Sequence, residues 1–184
     1  HAKEGQSYKY LVHHWSGRRI YKMDPVGFRS AKAPDTSSVI CRLDNYKWHD
    51  SLWMANQARR EPLQSPINIY EMHLGSWRRR WDGGGYLSYA EMAEQLPGYL
   101  KDMGYTHVEL LGVTGGLATN GAPDAFFAPS PLFGAPKELM ALIDSMHEAG
   151  VGVILSWNPF CFADTEHGLS DFDGTPLFGE ALPM

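Results

Sequence analysis

Few residues in this 184-residue chain combine a reactive type with a spacing that chemistry could use. Asp171 and Asp173, in SDFDG, are carboxylates one residue apart that share a side in an extended segment. No acid/base partner accompanies them, so a solvated Asp-Gly turn is expected there. Glu71 and His73 alternate on one face of the strand-like run INIYEMHLG, where structural hydrogen bonding is expected rather than catalysis. The eight histidines show no HExxH or other ligand spacing, so no metal site and no cofactor are expected. Gly83, Gly84 and Gly85 lack the Lys and Ser/Thr of a phosphate-binding loop and read as a turn. Cys161 has no His or Lys beside it to stabilise a thiolate and reads as an inert thiol. Trp77, Trp81 and Trp157 stand at or just after the ends of strand-like runs. Their broad amphipathic rings suit sugar stacking, with interior packing as an equal competitor. No residue is expected to be catalytic.

The elements that would position these groups fall into three regions. SYKYLVHH (7–14) and RRIYKM (18–23) read as strands joined by a Ser16-Gly17 turn, and a lone hairpin needs a neighbour to lean on. Residues 34–66 read as a connector with one short strand, SVICRL. Its Trp48, Trp53 and Met54 are spaced for a turn of amphipathic helix docked on an adjacent surface. From Ile67 the order becomes strand, helix, strand, helix, strand. Ser88 and Glu91 form a capping box, and Met92, Leu96, Tyr99, Leu100 and Met103 line one helical face. Pro97 inside that helix should kink it. A second helix begins near Pro136 and ends at Gly150, and the apolar run VGVILSW predicts a strand covered on both faces. This is an α/β pattern with a parallel sheet, whose functional groups belong at the carboxyl ends of its strands. The stretch from Val113 to Pro136 is far longer than the usual connection of ~2–6 residues, which suggests a binding role.

Composition narrows the function classes. Sixteen Lys and Arg against 21 Asp and Glu give a net charge of -5, which disfavours nucleic-acid binding. No run approaches the ~20 apolar residues of a membrane span. Two cysteines form no disulfide framework and fit a reducing, cytoplasmic setting. HAKEGQ at the start is neither a signal peptide nor an initiator segment, so the chain reads as processed or as a piece of something longer.

Several blocks closely resemble, in order, the glycogen branching enzymes of the α-amylase superfamily: PINIYEMHLGSWRR, LSYAEMAEQLPGYLKDMGYTHVELLGV, FFAPSPLFGAPKELMALIDSMHEAGVGVIL and HGLSDFDGTPLF. YKMDPVGF and YKWHDSLWMANQARREPLQSPI resemble the end of that family's β-sandwich glucan-binding module and its linker. The resemblance implies residues 1–33 as the tail of the sandwich, 34–66 as linker, and 67–184 as the first three β/α units of a TIM-type (β/α)8 barrel. It implies an α-glucan partner and retaining transfer of an α-1,4-glucan segment to a 6-hydroxyl, by a nucleophilic carboxylate and an acid/base carboxyl. The family carries those two groups and a further Asp after its fourth, fifth and seventh strands, so none is inherited here. The chain also departs from the pattern. Ser156 stands where the family has Asp, Cys161 where it has His, and Thr119, Asn120 and Gly121 where it has Trp-Gly-Tyr. Ser156 supplies no charge, and Gly121 removes a ring that would stack on a sugar. These 184 residues are therefore expected to transfer no glucan on their own. Two rival expectations are a non-catalytic α-glucan-binding or regulatory protein and an α/β interaction module completed by a partner. An open sheet edge beside the third strand would favour self-association.

Overall fold

The computed structural model of the chain describes residues 1–115, 124–158 and 163–175. It contains two compact units. One comprises His1–Arg42, Thr114–Leu132 and Trp157–Met184, the other Leu43–Val113 and Phe133–Ser156.

The first unit holds short antiparallel pairs: β1 (Ser7–Tyr8) with β4 (Ser38–Val39), and β2 (Tyr10–His13) with β3 (Arg19–Lys22). The single strand expected over 7–14 is thus divided, and SVICRL contributes only Ser38 and Val39. Alternation explains the hairpin: Ile20 and Lys22 are buried, while Arg19 and Tyr21 are exposed. The buried Lys22 ammonium donates to the Gly168 carbonyl at 3.2 Å, and the Met23 amide donates to the His167 carbonyl at 3.0 Å. The hairpin therefore leans on the 163–175 segment. Asp24 accepts from the Tyr8 hydroxyl and from the Val26 amide, and its own amide donates to the Ser38 hydroxyl.

The second unit is built on three parallel strands in consecutive order, β5 (Ile69–His73), β6 (His107–Leu111) and β7 (Gly152–Leu155). Their register sets Met72 beside Leu110 and Glu109 beside Ile154. Two helices cross between them, α2 (Tyr89–Asp102) and α3 (Pro136–Glu148). The Ser88 hydroxyl accepts the Glu91 amide, and the Glu91 carboxylate accepts the Ser88 amide, so the capping box forms. At α3 the Glu138 carboxylate accepts the Ala135 amide. Pro97 lies inside α2, yet the helix runs through it, because Met92, Leu96 and Leu100 are fully buried on either side. Gly104, at φ +77°, follows its end in the left-handed conformation that side chains disfavour. Val108 and Leu110 are fully buried and Met72 nearly so, in one cluster with Leu96, Leu100, Leu142 and Met146 from the helices.

The opposite face of the sheet carries Ile69, Glu71, His73, Glu109, Leu111 and Ile154. Ile69 is 45% and Ile154 37% exposed, and Glu71 lies open. The expectation that VGVILSW would be covered on both faces thus fails for its central residues. Among the described strands β7 is an edge strand, and Leu155 at its end is 46% exposed.

The connector docks through α1 (Ser51–Gln57) and the residues before it. Of the three residues expected to dock, only Trp53 does so, stacking at 4.9 Å and 14° on His147 of α3; Trp48 and Met54 are exposed. Two His–Asp pairs cross the junction in opposite senses. His49 Nδ1 lies 2.9 Å from Asp144, and His147 Nδ1 lies 2.8 Å from Asp50. The buried Asp144 also accepts the Tyr46 hydroxyl at 3.0 Å and the His49 amide. Burial alone would raise the Asp144 pKa, but these hydrogen bonds to the ionised form outweigh it and hold the carboxyl below its usual range. Burial, then the bond to Asp144, pushes Tyr46 up to about 12.

Candidate functional site

The three candidate tryptophans occupy different settings. Trp77 packs against the core of the second unit, 5.9 Å from the Tyr99 ring, with the Arg78 guanidinium 4.5 Å over its face. Its indole is built into the fold on one side and capped by a cation on the other. Trp81 is 99% exposed in the turn after β5. The hairpin behind it is fixed: Arg80 makes paired hydrogen bonds to the Glu91 carboxylate at 2.8 and 2.9 Å. With that guanidinium and the Ser88 donors around it, the Glu91 carboxyl is held down at about 2.

Trp157 falls in the other compact unit, two residues beyond the end of β7. Its Nε1 donates to the Phe126 carbonyl at 3.2 Å. The buried Phe126 ring meets it edge-on at 6.1 Å and 79°. The Phe127 ring lies beside it at 6.2 Å, tilted 33°. Trp157 and Phe127 are each 50% exposed. Trp157 is therefore oriented but not enclosed. Its phenylalanine partners were not singled out from sequence, although two adjacent aromatics inside a long Gly- and Ala-rich connection carried the signal.

Ser156 continues the parallel pairing, its amide donating to the Leu110 carbonyl at 3.0 Å. Its position brings a small neutral hydroxyl to the carboxyl end of β7. Gly121 and Cys161 lie outside the described residues. Asp173 accepts the Thr175 amide and hydroxyl in a local turn, and these bonds lower its pKa. Gly75 donates its amide to His73 Nδ1 at 3.1 Å. Glu71 stands beside Glu109 in the parallel register, mid-strand and away from the carboxyl ends. Among the described residues no three His, Cys, Asp or Glu side chains are grouped to hold a metal ion, and no helix is long and apolar enough to cross a membrane. A cavity of about 360 Å³ opens where α1 meets α3, lined by Asp50, Trp53, Asn56 and His147 among others.

The fold has solved counterparts among the α-amylase-type enzymes. A putative α-amylase from Salmonella typhimurium superposes with a TM-score of 0.61 at 22% identity, over 84% of this chain and 24% of its own. The GBS pullulanase SAP, solved in complex with maltotetraose, gives 0.61 at 20% identity, over 82% and 24%. At these identities the likeness defines an α/β fold with a parallel sheet. Sequence carries the assignment further. The chain is 43% identical to 1,4-alpha-glucan branching enzyme GlgB of a Jannaschia species over 98% of its length, and 42% identical to that of Desulfitobacterium hafniense over 95%. The resemblance to the glycogen branching enzymes is real and runs nearly end to end. The chain spans about a quarter of the length of these relatives, 26% and 28%. No family model matches it.

Proposed function

We propose that this chain is the part of a cytoplasmic 1,4-α-glucan branching enzyme that joins a β-sandwich tail (1–33), a linker (34–66) and the opening β/α units of a (β/α)8 barrel (67–184). The observation that carries the reading is 43% identity across 98% of the chain to such an enzyme. Topology supports the barrel. Parallel crossovers are almost always right-handed, so strands in consecutive order place successive helices on one face, whereas a reversal of order would divide them between two. Here the order is β5-β6-β7 and α2 packs on α3. The half-exposed face bearing Ile69, Glu71 and Ile154 suits the inward surface of such a barrel.

In this reading the 184 residues supply frame and glucan contact, with α-glucan as partner, and not the reacting carboxylates. Purified chain incubated with amylose should leave the iodine spectrum unchanged, and a branching shift would refute it. A chimaera tests the departures. With residues 1–184 in place of the matching quarter of the Jannaschia enzyme, branching should fall at least ~100-fold, a loss of about 2.7 kcal/mol of transition-state stabilisation. Ser156→Asp with Cys161→His should recover part of it. Full activity in the unmodified chimaera would show that Ser156, Gly121 and Cys161 are harmless.

A second reading, association of copies, is favoured by β7, whose outer side pairs with no described strand and whose Ile154 and Leu155 are exposed.

A further inference from the structure

We infer that Phe127 and Trp157 together form a two-ring stacking platform for adjacent sugars of an α-1,4-glucan, an inference that rests on the glucan-contacting role proposed above. The rings lie 6.2 Å apart and both are half exposed, so each presents apolar surface that the fold does not use. Ordinary exposed rings sample several rotamers, but Trp157 is fixed from two sides. Its only polar donor is spent on the Phe126 carbonyl, and the buried Phe126 ring abuts it edge-on. A ligand therefore meets a preorganised face and gains nothing from the indole N–H. That selects a ligand with a flat C–H surface whose own polar groups point elsewhere, which describes a pyranose ring.

The 33° splay selects further. A planar aromatic ligand held between two rings needs them parallel, which these, at 33°, are not. Two half-exposed rings 6.2 Å apart and inclined at 33° fit successive units of a chain that curves, as α-1,4-linked glucose does and β-1,4-linked glucose does not. Both rings also follow the carboxyl ends of parallel strands in the chain, Phe127 after β6 and Trp157 after β7.

The test uses the whole 184-residue chain labelled with 5-fluorotryptophan, its six indoles resolved by fluorine NMR and Trp157 assigned by the resonance missing from Trp157→Phe. Maltoheptaose should shift the Trp157 resonance, with a dissociation constant on the order of 1 mM, while cellohexaose leaves it in place. Phe127→Ala removes an exposed ring, so circular dichroism and the melting temperature should hold while maltoheptaose affinity falls roughly tenfold. If maltoheptaose moves Trp77 or Trp81 and not Trp157, or if Phe127→Ala binds as the parent does, the platform is wrong and glucan contact stands. If no indole responds to either sugar, the glucan-contacting role itself fails. An equal response to cellohexaose would reduce the site to a general apolar patch and overturn the α-1,4 assignment.

Discussion

Ser88, Glu91 and Arg80 act as one device, because the carboxylate that caps α2 also anchors the hairpin before it. Ser88→Ala should cost about 1 kcal/mol, read from urea unfolding, since an N-cap hydroxyl is lost without opening a cavity. Glu91 carries a pH signature. Its folded pKa is depressed to about 2, below an unfolded value of ~4.3, so its contribution is complete above the unfolded value and disappears as pH falls through the folded one. Melting temperatures of the parent and Glu91→Gln should therefore differ at pH 6 and converge near pH 2. Asp144 obeys the same sign: its pKa is lowered, so the stability it confers is present above ~3.9 and is lost on further acidification. Asp144→Asn should cost about 1–3 kcal/mol, as expected when hydrogen bonds to a buried charged acceptor are weakened. It should also bring the Tyr46 hydroxyl down from about 12, measured by absorbance titration near 295 nm. A Tyr46 unmoved by that change would mean that burial alone sets its pKa.

Elements were legible in proportion to how local their causes are. The Ser88 box, the glycine stop at Gly104 and the apolar stripe of α2 from Met92 to Leu100 are written within single helical turns and appear where the residues place them, whereas Met103, expected on the same face, is 56% exposed. β4 is shorter than the run SVICRL suggests because a strand lasts only as long as its partner, and β1 offers Ser7 and Tyr8 alone. The crossed His–Asp pairs joining the connector to α3 join residues 95 and 97 positions apart, so no local spacing announces them. The same holds for Trp157, whose anchor Phe126 lies 31 residues earlier. Gly152 is a further case: it looks like one more small residue in VGVILSW, yet it faces the His107 ring directly. A Cβ built there would come 2.3 Å from that ring. Gly152→Ala should destabilise the sheet by about 1–3 kcal/mol, the usual penalty of overpacking. His107→Ala introduced with it should remove most of the added cost, and a double-mutant cycle showing simple additivity would deny the contact.

At the scale of the molecule, the apolar cores of the two units differ. In the second unit fifteen buried residues form one cluster, from Met72 to Val151. Among the described residues of the first, the cluster is Met23, Ala125 and Ala128. Fully burying a Leu or Met contributes about 1.5–3 kcal/mol against chain entropy, and two alanines contribute far less. Opening free energy follows such density, so amide hydrogen exchange should be slow in α2, β6 and α3 and several orders faster in β2 and β3. Uniform protection would contradict this division. The uncovered sheet face adds a liability of its own. Glu71 and Glu109 stand side by side on it, and like charges in register disfavour pairing. The outer side of β7 nevertheless pairs with no described strand, beside exposed Ile154 and Leu155. If copies associate there, the mass from light scattering should climb with concentration in the parent chain. Ile154→Lys should hold it at the monomer, because a lysine on an exposed edge must be desolvated before another strand can add. The same substitution should leave the helical circular dichroism unchanged, since Ile154 lies outside the buried cluster. An association that survives Ile154→Lys would have to use another surface, such as the hairpin face that exposes Leu11 and Tyr21.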